Sequence, residues 1–372
     1  MPTGPVDGDR VRLRRHAEAD VDDLAAACAD PLIVRFLPHL PHPYTRDDAR
    51  WWIQEGAPAQ WTAGGAAHAI VDPATDRLLG AVGLGRTGLG PGGVPLGEVG
   101  YWVAPWARGR GVATAAANTL AAWAFGHGYQ RLELLTDLEN LASQRVAVAA
   151  GFQREGVRRG VARGRDGSPS DRIVWARLAD DPPGPSPRLL PDLPDGQLSD
   201  GVVTLRPLRT EDTDVMYALH TLPDVTVRSV RPVSPSRAEI QRRCAHSGAR
   251  WLAGERADMA IMDIASGEIA GEIGLYYHGQ ATGQAMIGYS VLPQWRGKGY
   301  ATRATRLVVR WAFDQVEIAR LISGTAPDNL GSQKVLARAG FRREGYQRAR
   351  LPGPNGTRVD DILYARLRTE PA

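Results

Sequence analysis

The chain has 372 residues, of which 43% are hydrophobic and 23% charged, with a formal net charge of +4. This composition is ordinary for a globular protein in water, and the length suits two domains better than one. There is no apolar run long enough to span a membrane, no signal-peptide pattern at the N-terminus and no long basic run of the kind that binds nucleic acid. The two cysteines lie in different halves, which disfavours a disulfide framework and a thiolate metal site. We therefore expect a cytoplasmic protein without a metal, a membrane partner or a nucleic-acid partner.

Periodicity and turn residues predict alternating strands and helices in the first half. A glycine-rich hairpin loop is expected from Arg86 to Gly97. The predicted elements are, in order, a strand at Val11–Arg14, a helix at Glu18–Ala29, a Pro-, His- and aromatic-rich stretch at 31–45, a helix through Asp47–Ile53, strands at His68–Val71, Leu78–Leu84 and Val99–Val103, a helix at Val112–Phe125, a strand at Leu132–Thr136, a helix at Ser143–Ala150 and a final hairpin that ends at Leu178.

The same order recurs in the second half, from the strand at Val203–Arg206 to the strand that ends at Leu367. Between the halves, Asp181–Asp195 contains prolines at 182, 183, 185, 187, 191 and 194, which predicts a stiff, extended linker. The predicted fold class is α/β with a mixed sheet, in two tandem domains of the same fold that form a pseudo-dimer. The predicted bounds are 9–178 for the first domain, 179–200 for the linker and 201–369 for the second domain.

The most informative stretch occurs once in each half, at Val103–Thr114 and at Val291–Thr302. Each copy follows a β-prone run, turns at a proline, passes through Arg-Gly-Arg/Lys-Gly and enters a helical pattern. Backbone N–H groups in the first turn of a helix lack intrahelical partners, and glycines let an anion approach them. The pattern therefore predicts a turn that binds a phosphate or pyrophosphate. A dinucleotide-binding fingerprint is disfavoured because Thr114 stands at the third glycine position.

Arg108–Ala113 and Arg296–Ala301 resemble the R/Q-x-x-G-x-G/A signature of the GNAT N-acetyltransferase superfamily, in which this turn binds the pyrophosphate of acetyl-CoA. A second block supports the resemblance, because an N-x-x-S sequence precedes a Gly-Phe pair in both halves, with 11 residues from Asn140 to Gly151 and from Asn329 to Gly340. This block, together with a Gly-Tyr pair before each turn, resembles the branch that contains the ribosomal-protein N-terminal acetyltransferases.

The resemblance covers nearly the whole chain and implies that acetyl-CoA is the co-substrate. It implies that the strand before the turn pairs with pantetheine, that the turn and helix start bind pyrophosphate, and that the asparagine holds the pantetheine arm or the loop beneath it. The positions that match these roles are Val103, Arg108, Gly109, Arg110, Gly111, Val112, Ala113, Thr114 and Asn140 in the first half, and Val291, Arg296, Gly297, Lys298, Gly299, Tyr300, Ala301, Thr302 and Asn329 in the second.

Acetyl transfer to an amine needs a group that takes the amine proton. The resemblance implies that Glu98 is this general base in the first domain. The alternative is that Glu98 is a solvent-facing strand glutamate with no catalytic role. The second half has Met286 at the same place, and a methionine cannot accept a proton. Glu272, where the first half has Ala81, is a displaced base or else a surface residue.

Many family members use a tyrosine seven residues after the asparagine as general acid, but Ala147 and Leu336 stand there in this chain. The related branch implies that Ser143 and Ser332 lie beside the cofactor sulfur, and we assign them the thiol contact and proton donation. The alternative is that each serine is a helix N-cap.

The sequence thus predicts an acetyl-CoA-dependent N-acetyltransferase that acts on a primary amine, either a protein N-terminus or a small molecule, with a homodimer as a further option. The alternative is an acyl-CoA-binding or scaffolding protein whose domains no longer catalyse. The methionine at position 286 and the missing tyrosines motivate that alternative.

Overall fold

The computed structural model of the chain describes residues 4–370, and the chain divides into two units between Pro187 and Arg188. Each unit has one eight-stranded sheet, and the two sheets have the same topology. All strand pairs are antiparallel except one in each sheet, which joins Pro95–Val103 to Arg131–Asp137 in the first unit and Gln284–Val291 to Arg320–Thr325 in the second. The predicted fold class, two tandem α/β domains with a mixed sheet, is confirmed.

In the first unit four short helices lie between the second and third strands, and two longer helices follow the central strands. The strands, numbered along the chain, lie in the sheet in the order 1-2-3-4-5-6-8-7. The strands are β1 (Val6–Asp7), β2 (Arg12–Arg14), β3 (Ala66–Val71), β4 (Leu78–Leu89), β5 (Pro95–Val103), β6 (Arg131–Asp137), β7 (Gln153–Arg163) and β8 (Pro169–Leu178). The helices are α1 (Val21–Cys28), α2 (Pro31–Phe36), α3 (Arg46–Trp51), α4 (Ala57–Thr62), α5 (Val112–Gly126) and α6 (Leu141–Ala149), with a π-helical turn at Trp52–Gly56 between α3 and α4.

The second unit repeats these elements. Its strands are β9 (Leu198–Ser199), β10 (Val203–Pro207), β11 (Arg256–Asp263), β12 (Ile269–Gly279), β13 (Gln284–Val291), β14 (Arg320–Thr325), β15 (Arg342–Pro352) and β16 (Arg358–Leu367). Its helices are α7 (Thr213–His220), α8 (Pro223–Thr226), α9 (Arg237–Ala245), α10 (Ser247–Leu252), α11 (Tyr300–Asp314) and α12 (Leu330–Arg338).

Strand register confirms which residues of the two halves are equivalent. Val103 lies opposite Gly80 in the first sheet, and Val291 lies opposite Gly271 in the second. Glu98 pairs with Glu133 in the parallel ladder, where the second sheet pairs Met286 with Ile322. Any difference in side chains at these positions is therefore a difference at the same place in the fold.

The long helix that follows the phosphate turn supplies much of each core. Leu120 and Trp123 of α5 are buried, as are Val308 and Trp311 of α11, so the predicted buried sides of these helices are confirmed. A buried side chain of this size stabilises the fold by roughly 1.5–3 kcal/mol. This packing fixes the start of each helix, and with it the turn, against the sheet.

Two predicted segments differ from the structure, the glycine-rich loop and the proline-rich linker. The glycine-rich stretch predicted as a loop is mostly strand, because β4 continues to Leu89 and β5 begins at Pro95. Only residues 90–94 turn, helped by the positive φ angles of Gly92 and Gly93.

The second difference is the proline-rich segment between the halves. It is predicted as a stiff, extended linker, but parts of it pack on the first unit and parts on the second. Ser186 donates from its backbone N–H to the Val148 carbonyl of the first unit, at 2.9 Å. Leu190 (0% exposed) and Leu193 (4%) lie in the core of the second unit, and β9 pairs with β10. The exact bounds of the two domains and the linker stay a prediction.

Of the helices in residues 4–370, none is long and apolar enough to cross a membrane.

Candidate active site

The central strands of each sheet pair only briefly before they part. The parallel ladder joins Leu96–Glu98 of β5 to Arg131–Glu133 of β6 and then ends, although β5 continues to Val103. In the second unit the ladder ends at Met286 and Ile322, and β13 continues to Val291. Strand residues beyond such a split can pair through their main chain with an extended ligand, as in strand addition. Val103 and Val291, predicted to do this, lie on the continuing strands.

The predicted phosphate turn has the backbone that its glycines were expected to allow. Gly109 and Gly111 have φ angles of +72° and +75°, and Gly297 and Gly299 have +74° and +87°. A Cβ added at any of the four would meet nothing within 4 Å, so the turn needs glycine for its left-handed conformation rather than for lack of room. The space beside the turn is open in both units.

The helices α5 and α11 begin directly after these glycines. In the described part of the chain, no side chain caps the N-terminus of either helix. The first N–H groups of each helix, together with the positive end of the helix dipole, therefore face an open site that suits an anion. A pyrophosphate fits this arrangement of donors.

The first residues of each helix anchor its start. Val112 is buried, and Tyr300 is buried with its hydroxyl donating to Asp263 Oδ1 at 2.6 Å. The next residues of the first turn are Ala113 and Thr114 in α5 and Ala301 and Thr302 in α11. These positions offer backbone N–H groups to the predicted anion, while the side chains of Val112 and Tyr300 point into the core.

The first arginine of each turn holds the turn to a neighbouring helix. Arg108 forms an ion pair with Asp30 at 2.5 Å, and Asp30 also accepts the N–H groups of Leu32 and Ile33 at the start of α2. The guanidinium of Arg108 holds the pKa of Asp30 below its usual value. In the second unit Arg296 pairs with Asp224 at 2.7 Å. The structure thus gives these arginines a bracing role that the motif alone did not reveal.

The second cation of each turn is exposed. Arg110 is an exposed side chain, and the ammonium of Lys298 lies 5.2 Å from the ring centre of Trp295. Exposed cations beside an open helix N-terminus are suited to screen the charge of a phosphate.

The asparagine and serine of the second motif meet at the start of α6 and α12. Asn140 Oδ1 accepts the N–H of Ser143 at 3.1 Å, and Asn329 Oδ1 accepts the N–H of Ser332 at 3.1 Å. The asparagines are therefore the N-caps, and the alternative that the serines cap these helices is wrong. The serine hydroxyls are left for another partner.

That partner is a tyrosine on the strand before the turn, which sequence reasoning missed as a site residue. The hydroxyls of Tyr101 and Ser143 lie 2.9 Å apart, and those of Tyr289 and Ser332 also lie 2.9 Å apart. Burial raises the pKa of Tyr289 to about 12 and raises that of Tyr101 further, so both tyrosines stay protonated at neutral pH. The Gly-Tyr pair that precedes both turns was the available signal.

Glu98 lies where β5 and β6 begin to part. Its side chain is half-buried, and burial raises its pKa above the ordinary value for a glutamate. The neighbouring carboxylate of Glu133 raises the pKa further, whereas the positive charge of Arg158 opposes both effects. A carboxylate with a raised pKa, at the point where the two strands part, is suited to accept a proton.

The second unit has no carboxylate at that place, and Glu272 does not replace it well. Glu272 is 8% exposed and is held by Arg243 at 2.8 Å and by His220 at 2.9 Å. Burial works to raise the pKa of Glu272, but the charge of Arg243 and the hydrogen bonds from both partners outweigh burial and lower the pKa well below its usual range. Such a carboxylate is a weak proton acceptor, which argues against Glu272 as the displaced base. Its burial argues against the alternative that it is a surface residue.

Comparisons with known proteins agree with this geometry. The family model described as an acetyltransferase (GNAT) domain matches the chain twice, over residues 10–153 and 203–342. The probable N-acetyltransferase YjcK of Bacillus subtilis (strain 168) is 42% identical over 83 residues, which cover 22% of this chain and 45% of that protein. The putative ribosomal N-acetyltransferase YdaF of the same organism is 35% identical over 104 residues, which cover 28% of this chain and 56% of that protein. The chain thus spans about half the length of these relatives.

Among solved structures, Mycobacterium smegmatis RimJ in complex with CoA-disulfide is 27% identical and covers 46% of this chain and 86% of that protein, with a TM-score of 0.40. Each range matched by the family model contains one phosphate turn and one Asn–Ser pair.

Proposed function

Because the chain belongs to the GNAT acetyltransferase family in both halves, we propose that it transfers the acetyl group of acetyl-CoA directly to a primary amine. The family match supports the predicted enzyme class, and the residue roles are part of our proposal. The observation that carries the proposal is that β5, β6 and the helices that follow them hold a split sheet, an uncapped helix start, a Tyr–Ser pair and a glutamate with a raised pKa.

Acetyl-CoA would be held by the main chain more than by side chains. The turn from Arg108 to Thr114 offers its N–H groups to the pyrophosphate, and Arg110 adds a positive charge. The strand that ends at Val103 offers main-chain groups to the pantetheine arm, while Asn140 caps the helix that flanks it. The second unit repeats each of these features, with Lys298 in place of Arg110.

The chemistry of transfer then falls to three side chains of the first unit. The amine nitrogen attacks the acetyl carbon, Glu98 takes the proton that the nitrogen loses, and the carbon–sulfur bond breaks. The leaving thiolate takes a proton from Ser143, whose hydroxyl is replenished by Tyr101 through their 2.9 Å hydrogen bond. The products are an amide and free CoA; the Glu98 proton passes to solvent, and Tyr101 regains a proton from solvent.

The two units differ in this chemistry. The second unit keeps the turn, the split strands and the Tyr–Ser pair, but Met286 stands in place of Glu98 and Glu272 is locked in ion pairs. We assign catalysis to the first unit and acetyl-CoA binding to both. The alternative function, an acyl-CoA-binding domain that no longer catalyses, is therefore proposed for the second unit and not for the first.

The acceptor is proposed to be a protein N-terminus. The name of one relative, a putative ribosomal N-acetyltransferase, supports a protein acceptor. An α-amine titrates near 7.7–8.0, so a modest base suffices to deprotonate it at neutral pH. The cytoplasmic location and the homodimer predicted from the sequence belong to this same proposal.

The experiment is to incubate the full chain with acetyl-CoA and a panel of peptides with different N-terminal residues, alongside peptides blocked at the N-terminus and small amines. We expect free CoA to be released with unblocked peptides and the acetyl group to appear on the α-amine by mass spectrometry. If no peptide or amine in the panel is acetylated, the proposal of a working transferase fails.

A further inference from the structure

A second glutamate stands beside the proposed base. Glu98 and Glu133 are partners in the last step of the β5–β6 ladder, so their side chains leave the sheet side by side on one face. The side chain of Glu133 is fixed on both of its oxygens. Arg131 donates to Oε1 at 2.7 Å, and Arg158 donates to Oε2 at 2.9 Å.

These arginines hold the Glu133 side chain in one position, and Arg131 is itself shared with Glu155, to which it donates at 2.6 and 2.8 Å. Glu98 is different, because in residues 4–370 no hydrogen bond or ion pair engages its carboxylate. On the other side Glu98 lies opposite Gly85, which has no side chain. The charged groups that act on Glu98 are therefore Glu133 on β6 and Arg158 on β7, with Arg131 and Glu155 behind them.

The second unit provides an internal comparison. Met286 replaces Glu98, and at the same time Ile322 replaces Glu133 and Gln347 replaces Arg158. The outer pair survives, because Arg320 forms an ion pair with Glu344 as Arg131 does with Glu155. The sheet therefore folds without a glutamate at the Glu133 position, and that glutamate occurs in the unit that has the base.

We propose that Glu133 is a positioning residue for Glu98: its carboxylate, held in place by Arg131 and Arg158, makes Glu98 a stronger proton acceptor. The inference rests on the proposed function, since it assigns a role toward the general base. The physical reason is that two neighbouring carboxylates resist being charged together. Because Glu133 is held beside Glu98, its negative charge favours the protonated form of Glu98, where the amine is to be deprotonated.

The test is a titration of the glutamate side-chain carboxyl carbons by ¹³C NMR on the full chain, without any ligand. The resonance of Glu98 is the one that disappears in Glu98→Gln. In Glu133→Gln the midpoint of the Glu98 resonance is expected to fall by about one pH unit, which is at the low end for a close charge. In Arg158→Gln, which copies the residue of the second unit, the midpoint is expected to rise, because the positive charge of Arg158 acts directly on Glu98 and lowers its pKa.

Two opposite shifts separate this role from a merely structural one, since loss of packing has no reason to move the midpoint down in one variant and up in the other. The matched control is Ile322→Gln, which puts the same amide at the equivalent place in the second unit and should leave the Glu98 midpoint unchanged. A Glu98 midpoint that stays at its wild-type value in Glu133→Gln overturns the proposal.

The same variants are then assayed for turnover against pH, with acetyl-CoA and an N-terminal alanine peptide as the probe. The acidic limb of kcat should follow the NMR midpoint, moving to lower pH in Glu133→Gln, with the KM for acetyl-CoA unchanged. An acidic limb that stays in place while the midpoint moves overturns the catalytic part of the proposal. If instead Glu98→Gln retains full turnover, it is the proposed base that fails, while the NMR shifts still report on Glu133.

Discussion

Replacing Gly111 by alanine tests how the phosphate turn works. Gly111 has a φ of +75° and ψ of 6°, in the left-handed region, and an added Cβ would meet nothing within 4 Å. The change therefore adds no clash, and its cost is the conformational penalty of an L-residue in this region, about 1–2 kcal/mol. If the turn keeps its shape, this penalty lowers the free energy of unfolding. If the turn relaxes, the penalty lowers the affinity for acetyl-CoA by about 5- to 30-fold.

The two losses should together account for the penalty, so both are measured. Calorimetric titration of the full chain with acetyl-CoA gives the affinity and the number of sites, and urea unfolding gives the stability. Gly299→Ala, at a φ of +87°, is the matched change in the second unit and should affect the other site. Gly126→Ala at the end of α5 is the control, because its added Cβ also meets nothing and its φ is not in the left-handed region. If Gly111→Ala changes neither affinity nor stability, the account of the turn is refuted.

Three further predictions concern other parts of the chain. Tyr101→Phe should lower turnover by about 10²-fold, the smaller end of the range for a proton donor, whereas Tyr289→Phe should not lower it; equal turnover in both variants contradicts the proton path. Leu190→Ala should lower the free energy of unfolding by about 2–5 kcal/mol in urea, because Leu190 is 0% exposed in the core of the second unit; an unchanged midpoint would show that this segment is a loose linker. Glu98→Gln should make the protein more stable at neutral pH. A carboxyl whose pKa is raised on folding stabilises the fold while it is protonated, and this contribution is lost as the pH rises through the raised pKa. Glutamine carries no charge, so the variant does not suffer this loss. The gain, measured by thermal unfolding against pH, should vanish near pH 4, below which wild-type Glu98 is protonated in both states, and a gain that is independent of pH would contradict the raised pKa.

The repeat made much of the fold predictable. A turn, a helix start and an Asn–Ser block that occur twice in the same order could be placed without any contact information. The outer ends of β4 and β5 were missed because both are glycine-rich and the end of β4 is exposed, so neither apolar alternation nor a compact turn signal marks them. Leu190 was missed because it lies in a proline-rich segment, and such a segment indicates a linker whether or not a leucine within it is buried.

Side-chain partners from distant parts of the chain were not predictable. Glu272 was placed correctly at the position equivalent to Ala81, but its partners Arg243 and His220 come from helices distant in the sequence. The pair of Tyr101 and Ser143 is 42 residues apart and forms only because the split strands bring a helix start beside β5. Glu133 gave no sequence signal of its own, since its effect on Glu98 depends on strand register.

The central claim, that acetyl transfer takes place in the first unit on Glu98, is tested most directly by comparing Glu98→Gln with Met286→Gln. The two changes place the same amide at equivalent positions of the two sheets. We predict that Glu98→Gln lowers kcat by 10²-fold or more, as is typical for loss of a general base, with little change in acetyl-CoA affinity, and that Met286→Gln leaves kcat at the wild-type value. Full turnover in Glu98→Gln, or an equal loss in both variants, would contradict it.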